Sequence, residues 1–442
     1  MPTQPAGAGP RAGLPRASAA DEALVATHVL LPALAGGLAQ RRRGAMARAE
    51  RRQADRPAID TVRGLRDRYG PGPLRLRAGG RPMALLLDPG DLARVRRETP
   101  EPFAPAVAEQ RRARARFRAL APAPAPGRRV TAAAPDPEPP PRQVALAVAR
   151  RVHEEAGATL RQAAAAGALT WDGFAEGWWR AARRVVLGDA AAGDRALTDR
   201  LALLRNAGGW TVPRPAPRRA RTEFLDRVRQ RAAQAPPDSL AGAARQAGTD
   251  PVDLVPQWLS AFGTGGPVTL RALALLAASP QHAARVRGEL ALAGGLEGTG
   301  EPPFLRACVR ESVRLWPPAP LLLRVSTRAT AWRGALIPAG TVFAASIPYF
   351  HRDGPAGPAA DAFVPEMWLD GRAAASPAFV PFGGGTGHCP GAHTVLLAAA
   401  AWLAALLAGH TFLLRPPVPL TPQAPVPVTL DHFALRFTVA PG

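Results

Sequence analysis

One of the two cysteines lies in a glycine-rich loop directly before a predicted helix. The loop, residues 382–391, reads Phe-Gly-Gly-Gly-Thr-Gly-His-Cys-Pro-Gly. An apolar run rich in Ala and Leu, without Pro or Gly, follows at 392–407 and predicts a buried helix. Free N–H groups and the positive dipole end at a helix start favour a thiolate over a thiol at Cys389. The glycines allow a large, flat partner to approach the backbone closely.

A thiolate held in this way can be the axial ligand of a haem iron, to which it donates electron density that favours O–O cleavage. The competing interpretation is an inert core cysteine, because a single cysteine in apolar surroundings usually has that role. The only other cysteine is Cys308. Two cysteines argue against a disulfide framework and against a thiolate-rich metal site.

The loop matches the haem-binding motif of the cytochromes P-450, F-x-x-G-x-R/H-x-C-x-G, at Phe382, Gly385, Cys389 and Gly391. The sequence therefore resembles that family. The resemblance implies haem b as the cofactor, with the Cys389 thiolate as its axial ligand. It also implies that Phe382, Gly385, His388 and Gly391 contribute to cofactor binding.

A long helix predicted over residues 250–278 carries the second group of candidate residues. Its middle, Ser-Ala-Phe-Gly-Thr-Gly-Gly-Pro at 260–267, has three glycines and a proline, which predicts a widened or kinked turn. The family resemblance places Ala261 beside the haem and makes Thr264 and Ser260 the candidate catalytic residues that deliver protons. The alternative for Thr264 is a hydroxyl bonded back to its own helix.

A charged pair follows in a helix predicted over residues 304–316. Glu311 and Arg314 lie three residues apart on one face, followed by a proline-rich segment and Arg324. An E-x-x-R pair alone is commonly a solvated surface pair, whereas E-x-x-R-L-x-P-P-x-P is much more specific. The resemblance implies a buried structural ion pair behind the cysteine loop, in which removal of one partner costs roughly 3–5 kcal/mol. It also implies that Arg324 binds a haem propionate, because its fork of donors matches a carboxylate.

Several positions depart from the family pattern. Gly263 stands where the family has an acid, and Gly387 and Met367 stand where it has arginines. A general acid contributes about 10²–10⁴-fold to a rate, so protons would have to arrive through water held by hydroxyl groups. Residues 121–141 are rich in Pro and cannot carry a helix, although the family has one over the haem edge there.

The chain is strongly basic, with a formal net charge of +22. Such a charge ordinarily suggests nucleic acid or an anionic surface as a partner. However, the chain has no lysine, and its arginines are spread along the whole sequence without an aromatic–basic cluster. This pattern is typical of codon bias in a GC-rich genome. We therefore predict no nucleic-acid partner, while a basic face that docks an acidic redox protein is compatible with the charge.

Residues 1–20 are rich in Ala, Pro, Gly and Arg and are predicted to be disordered, with residues 21–442 forming a single domain. The N-terminus lacks the pattern of a secretory signal peptide. The apolar residues 23–39 contain His28, Pro32 and two glycines, and are short for a membrane span of roughly 20 residues. We expect them to be buried or to lie on the surface, and we expect a cytoplasmic protein without a membrane anchor.

The remaining pattern is mostly helical with a few short strands. Helices are predicted over 21–69, 92–98, 144–165, 171–187 and 222–233, and strands over 74–77, 83–87, 325–332, 341–346 and 433–439. The family resemblance covers the chain from about residue 69 onward. It implies a mainly α fold of the α+β class, a triangular helical prism with small β-sheets at one side.

The leading functional hypothesis is a haem-thiolate monooxygenase that inserts one oxygen atom from O₂ into an apolar organic substrate. Electrons would come from a separate donor, a ferredoxin with its reductase or a similar system, because no flavin-type or iron–sulfur segment is fused to the chain. An alternative of another class is a catalytically impaired relative that acts as a scaffold or activator of a partner enzyme. A third is a variant that uses peroxide.

Overall fold

Helices dominate the structure, a computed structural model of the chain. It describes residues 13–35, 43–78, 81–105, 139–207, 218–292, 302–353, 357, 359–383, 388–416, 420–421 and 424–441. The helices are α1 Ala19–Leu24, α2 Leu31–Ala35, α3 Arg43–Arg51, α4 Arg56–Tyr69, α5 Pro89–Arg97, α6 Arg142–Ala165, α7 Trp171–Leu187, α8 Arg195–Ala207, α9 Arg218–Ala233, α10 Leu240–Gln246, α11 Val255–Ala278, α12 Pro280–Leu292, α13 Pro303–Leu315, α14 Ile347–Arg352, α15 Arg372–Ala375 and α16 Ala392–Leu407.

Within these residues, ten short strands form three small sheets. They are β1 Leu74–Ala78, β2 Arg81–Leu85, β3 Phe103–Pro105, β4 Leu169–Thr170, β5 Leu321–Ser326, β6 Thr330–Trp332, β7 Ala335–Ile337, β8 Val342–Ser346, β9 His410–Leu414 and β10 Arg436–Pro441. The largest sheet has the order β1-β2-β8-β5-β3, in which only the β2–β8 pair is parallel. Strand β10 pairs with β4 and β9, and β6 pairs with β7. The predicted mainly α fold with small sheets is confirmed.

The strand predicted over residues 325–332 is wrong in its extent. Strand β5 ends at Ser326, and a separate hairpin of β6 and β7 begins at Thr330. The hairpin turns at Arg333 and Gly334, whose φ angles are 47° and 81°. Glycine adopts such angles without steric cost, and Gly334 lies directly before β7. The last strand, predicted over 433–439, is β10 and begins later.

The N-terminal helices confirm the prediction of a helical region in the described part of residues 21–69, which excludes 36–42. The Ser18 side chain caps α1 by accepting a hydrogen bond from the Asp21 N–H at 3.1 Å. Residues 13–18, within the segment predicted to be disordered, lie along β1, where Arg16 forms a bridge with Arg75. A π-helical segment at Val25–Leu30 links α1 and α2.

Helix α11 lies at the centre of the larger apolar core, between α7, α13 and α16. Phe174 and Trp178 of α7 stack at 5.7 Å between ring centroids, and Trp178 meets Trp402 of α16 edge-on at 5.5 Å. The helical stripe of aromatic residues predicted for 171–187 is therefore core. The Trp178 indole N–H donates to the Phe262 carbonyl oxygen at 2.8 Å, which fixes α7 to the middle of α11.

The glycines of α11 permit close helix packing. A methyl group on Gly265 would lie 2.5 Å from Val395 Cγ1, and one on Gly266 would lie 3.1 Å from Trp178 Cδ1. The helix is α-helical from Val255 to Ala278, so the predicted widened turn is wrong. The glycines serve packing against α16 and α7, and this packing holds the backbone in a regular helix.

Within the described residues, one helical stretch, Pro251–Ala278, is long and apolar enough to cross a membrane. Buried positions make up 78% of its apolar window. The neighbours of α11 in the core therefore account for its apolar composition.

Candidate cofactor site around Cys389

Backbone hydrogen bonds hold Cys389 three residues before α16. Its N–H donates to the Phe382 carbonyl oxygen at 2.9 Å, and its own carbonyl accepts from the Ala392 N–H at 3.1 Å. Gly391 is the N-cap residue of α16. The position predicted for Cys389, directly before a buried helix, is therefore confirmed. Gly385, predicted to bind the cofactor, lies outside the described residues.

The ionisation expected for Cys389 does not follow from the helix start alone. Burial raises the pKa of the Cys389 thiol, and a hydrogen bond from the Gly391 N–H lowers it by less. Desolvation therefore outweighs the favourable helix terminus, which corrects the sequence-based expectation. A coordinating metal cation deprotonates a thiol outright, so metal binding would produce the Cys389 thiolate that the helix terminus alone does not stabilise enough.

A cavity of about 300 Å³ lies beside Cys389. The cysteine loop and α16 form one wall, and α11, α13 and the segment that includes β5 form the others. Its lining includes Ala261, Thr264, Gly265, Val268, Val309, Val313, Leu321, Leu322, Arg324, Val380, Phe382, Gly383, Cys389, Ala392, Val395 and Leu396. It is mostly apolar with few polar groups, as is typical of small-molecule sites, and its volume is at the lower end of their range of roughly 300–1,000 Å³.

Arg324 is the one cationic side chain among these lining residues. It is 3% exposed, and one of its terminal N–H groups donates to the Leu323 carbonyl at 2.9 Å. A guanidinium in apolar surroundings suits an anionic partner, to which it can offer a fork of donors. The structure thus brings Cys389 and Arg324, 65 positions apart in sequence, to the walls of one cavity.

The residues predicted on α11 separate into two groups. Ala261 and Thr264 line the cavity, whereas Ser260 does not. The Thr264 hydroxyl donates to the Ala261 carbonyl at 2.8 Å. Its geometry is therefore that of the alternative interpretation, a hydroxyl bonded back to its own helix. Ser260 Oγ is buried without a hydrogen-bond partner in the described part of the chain. Thr264 is therefore the better placed of the two to act in the cavity.

Gly391 and Ala261 meet where the cysteine loop approaches α11. A methyl group on Gly391 would lie 2.5 Å from the Ala261 Cβ atom. The cysteine loop and α11 are therefore in close contact at this point. His388, on the other side of Cys389, packs its ring on Phe382 with centroids 6.3 Å apart. It is not among the lining residues.

The Glu311–Arg314 pair is fully buried, as the resemblance implied. Arg314 donates from Nε to Glu311 Oε2 at 2.8 Å and from a terminal nitrogen to Oε1 at 2.7 Å, a two-bond fork. The other lone pairs of the carboxylate accept from the Val364 N–H at 3.0 Å and from the Trp368 indole N–H at 2.9 Å. Every charge of this pair is thus matched by hydrogen bonds, as burial requires.

Trp368 was missed from the sequence. Met367 replaces the family's arginine and was treated as a gap in the network, but the adjacent indole supplies a donor to Glu311. The remaining N–H groups of Arg314 donate to the carbonyl oxygens of His351, Ala359, Ala360 and Ala362. The pair therefore fixes the chain around 359–368 to α13 rather than serving only as a local salt bridge.

A second cavity, of about 260 Å³, lies along the same stretch of α11. It shares Thr264, Pro317 and Pro318 with the Cys389 cavity, so these residues separate the two spaces. Its other lining residues include Arg43, Met46, Asp55, Trp171, Gly263, Pro267, Arg271, Trp316, Val428, Leu430, His432 and Phe433.

Comparisons with known proteins agree with this geometry. The fold is similar to that of a cyanobacterial cytochrome P-450 with bound retinoic acid, with a TM-score of 0.62 and 18% sequence identity. The match covers 87% of this chain and 94% of that one. The family model for cytochrome P-450 matches residues 266–425, a segment that contains the buried pair, Arg324 and Cys389. The chain is therefore similar to the cytochrome P-450 family in fold, and in sequence over residues 266–425.

Curated relatives are similar over part of their length. A taurochenodeoxycholic 6 alpha-hydroxylase of Sus scrofa is 34% identical over 126 residues, 26% of this chain and 24% of the relative. A cyclooctat-9-en-7-ol 5-monooxygenase of Streptomyces melanosporofaciens is 32% identical over 155 residues, 33% of this chain and 34% of the relative. The chain thus spans about a quarter to a third of the relatives that it matches.

The cytochrome P-450 family implies a haem-thiolate cofactor, and the side chains around the cavity fit its chemistry. Cys389 offers a sulfur ligand, and Arg324, also in the cavity lining, offers donors for a carboxylate. Ala261 and Gly265 of α11 are small lining residues, and Phe382 adds an aromatic ring on the cysteine side. A sulfur ligand and a carboxylate-binding cation in a mostly apolar cavity suit an iron porphyrin with acidic side chains.

Proposed function

We propose that this protein is a monooxygenase that binds haem b through the Cys389 thiolate and inserts one oxygen atom from O₂ into an apolar organic substrate. The observation that carries the proposal is the shared cavity of Cys389, Arg324 and the small residues of α11. The printed names of two relatives, a hydroxylase and a monooxygenase, support oxygen insertion as the reaction.

Haem bound at Cys389 supplies the iron chemistry that activates O₂. Cys389 binds the metal, and Arg324 orients the cofactor by pairing with a propionate. Thr264, whose hydroxyl lies on the wall between the two cavities, holds a proton at Oγ1 for delivery toward the Cys389 side. Val309 and Val313 of α13, with Phe382, keep water out of the apolar part of the cavity.

The buried pair acts on the site through the backbone. Arg314 fixes the chain around 359–362 through carbonyl groups, and Glu311 fixes Val364 and Trp368. The segment so held leads along the chain to Val380 and Phe382, which form the cysteine wall of the cavity. The pair therefore braces the segment that leads into the cysteine loop.

The substrate enters the space next to Thr264, for which the second cavity is the candidate. Trp171, Trp316 and Phe433 contribute aromatic surface there, which suits an apolar organic molecule. Electrons come from a separate donor, a ferredoxin with its reductase or a similar protein. The net charge of +22 favours an acidic partner for this step. No nucleic-acid or membrane partner belongs to this proposal, and the location proposed is cytoplasmic.

The absorption spectrum of the reduced protein under carbon monoxide tests the proposal. A Soret band shifted far to the red, the signature of thiolate ligation, is expected for the wild type and for Cys308→Ala. Cys308 is fully buried in α13, and burial raises its thiol pKa well above the usual range, so it is the matched control. Cys389→Ser should abolish the shifted band. Persistence of that band in Cys389→Ser would overturn the ligand assignment.

A second candidate function is the scaffold or activator, which one contact favours. Ala261 lies directly against Gly391, so α11 comes close to the cysteine loop on one side of the site. A protein in which this approach excludes the porphyrin would retain the fold and the buried pair without binding haem. The same spectrum decides between the two candidates, since a scaffold would show no thiolate-type band after reconstitution with haem.

A further inference from the structure

A third cavity, of about 400 Å³, is lined by the N-terminal helices and by the ends of two strands of the largest sheet. The π-helical segment Val25–Leu30, helix α3, the start of β5 and the end of β8 all contribute to it. Its volume lies within the range of small-molecule sites, roughly 300–1,000 Å³, and π-helical turns occur frequently at functional sites. Of the residues that line the Cys389 cavity, only Leu321 also lines this one, so the two are separate spaces.

Two arginines of one helical turn give the third cavity a positive rim. Arg48 and Arg52 both line it, and both are exposed. The Arg52 N–H donates to the Arg48 carbonyl at 3.3 Å, so the two side chains lie on the same face. Neither has an ion-pair partner in the part of the chain that the structure describes. Like charges at this spacing repel each other, and a bound anion would relieve that repulsion.

Asp55 is the one carboxylate in the lining, and it is already engaged. Its Oδ2 accepts a hydrogen bond from the Thr429 hydroxyl at 2.8 Å, and its backbone N–H donates to the same hydroxyl at 3.1 Å. Two guanidinium groups against one carboxylate leave the lining with a net positive charge. The third cavity therefore favours an anionic ligand over a cationic one.

Ser346 places a polar group inside the cavity that has no partner of its own. It is 1% exposed and lies directly before α14, yet its side chain makes no capping hydrogen bond. The hydroxyl also has no other partner among the described residues. Buried hydroxyl groups are normally hydrogen-bonded. The Ser346 hydroxyl is therefore available to a polar atom of a ligand.

Apart from His28, the rest of the lining is apolar, with Val29, Ala33, Ala49 and Leu321 among its residues. A small inorganic anion would pair with the arginines but leave these walls without contacts. A neutral hydrocarbon would fill the walls but leave the two charges without a partner. A ligand with an anionic head and an apolar chain satisfies both parts of the cavity.

We propose that the third cavity is a binding site for a small organic carboxylate with an apolar chain. The carboxylate pairs with Arg48 and Arg52, and the chain packs on the apolar walls. Because the cavity is separate from the one beside Cys389, this proposal does not depend on haem or on the monooxygenase function.

Calorimetric titration of the full-length protein with octanoate tests the site. Octanol has the chain without the charge, and acetate has the charge without the chain, so both should bind more weakly than octanoate. Arg48→Gln/Arg52→Gln should weaken octanoate binding about tenfold, the loss expected for a charge-assisted hydrogen bond, and should leave octanol binding unchanged. Both positions are exposed, so the double variant should fold. Ala49→Leu fills the cavity and should abolish octanoate binding.

Two controls locate the effect. Arg97→Gln/Arg161→Gln removes the same charge from exposed arginines outside the three cavities, and Arg43→Gln removes a cation that lines the second cavity but not the third. Both should bind octanoate as the wild type does. Equal weakening in the two double variants would show a response to net charge alone and overturns the site. Weakening in Arg43→Gln alone places the carboxylate in the second cavity, and failure of the wild type to bind octanoate more tightly than octanol and acetate also overturns the proposal. Loss of the thiolate-type spectrum would overturn the monooxygenase and leave the calorimetric result as it stands.

Discussion

His351 accepts a hydrogen bond at Nε2 from the backbone N–H of Val380, at 3.0 Å. Its Nδ1 lies 3.1 Å from the Arg314 carbonyl oxygen, so a neutral ring with its proton on Nδ1 satisfies both partners. His351 is fully buried. One imidazole therefore connects the helix of the buried pair to the segment that enters the cysteine loop.

This arrangement predicts loss of stability in mild acid. Burial, and then the positive charge of Arg314, lower the pKa of His351 to about 3. The unfolded chain, with a histidine pKa near 6.5, binds more protons than the native state between pH 6.5 and 3, so the unfolding free energy decreases as pH falls through that window. Across this whole pH window, protonation of this group in the unfolded chain lowers the unfolding free energy by about 5 kcal/mol at most. Urea unfolding at a series of pH values measures it.

The variant His351→Gln separates this group from the other titrating residues. It should be less stable at pH 7, because the Val380 bond is altered, yet its stability should depend less on pH below 6.5. His153→Gln, at an exposed histidine of α6, is the control and should follow the wild-type profile. An unchanged pH slope in His351→Gln would contradict the assignment.

The second prediction concerns the buried pair. Arg314→Met leaves the Glu311 carboxylate buried without its cation and removes donors from four carbonyl groups, so we expect a loss of roughly 3–5 kcal/mol in unfolding free energy. Arg150→Met is the control, since Arg150 pairs with Glu154 at 2.9 Å on an exposed face of α6. Such a surface pair contributes about 0–1 kcal/mol. Equal losses of unfolding free energy in the two variants, measured by denaturant titration, would show that the buried pair stabilises the fold no more than a surface pair does.

Much of this network could be predicted from the sequence, and the reasons are local. Glu311 and Arg314 lie on one helix and are followed by a proline-rich pattern, so spacing alone places them on one face. The helix after Cys389 was equally predictable, because a run of sixteen apolar residues without Gly or Pro has few conformations other than a buried helix. Each of these predictions depends on neighbours within a few turns of the chain.

The contacts that the sequence did not reveal join segments far apart in the chain. Trp368 reaches Glu311 across 57 positions, and His351 reaches Val380 across 29. The glycines of α11 predicted an irregular turn, but packing against Val395 and Trp178 explains them in a regular helix. Local pattern cannot distinguish a glycine that breaks a helix from one that lets another helix approach.

The third prediction tests the contact between the cysteine loop and α11. Gly391→Ala places a methyl group 2.5 Å from the Ala261 Cβ atom, so overpacking should cost about 1–3 kcal/mol. Adding Ala261→Gly makes room for that methyl group, and the double variant should lose less stability than the sum of the two single changes. Gly409→Ala, which meets no atom within 4 Å, is the control. Simple additivity in the thermodynamic cycle would show that the two residues do not touch.

The fourth prediction concerns the Thr264 hydroxyl. Thr264→Ala should divert electrons to peroxide and lower the product formed per electron pair, because the hydroxyl on the wall between the cavities is lost. Thr264→Ser should retain most of the coupling. Thr269→Ala is the matched control: its hydroxyl also donates to its own helix, to Gly265 O at 2.9 Å, but lines neither cavity. If Thr264→Ala forms as much product per electron pair as the wild type, the Thr264 hydroxyl has only a structural role. That role is its 2.8 Å hydrogen bond to the Ala261 carbonyl oxygen.

The last prediction concerns cofactor retention. Arg324 is 3% exposed on the wall of the Cys389 cavity, where a propionate would receive a fork of donors. Arg324→Leu should therefore release haem at least about tenfold faster than the wild type, since a charge-assisted bond of 1.5–3 kcal/mol is lost. Arg324→Lys should be intermediate, because a point charge replaces the fork. Arg328→Leu, an exposed arginine just after β5, is the control. Transfer of haem to an excess of apomyoglobin measures the rates, and equal rates in all four proteins would remove Arg324 from the site.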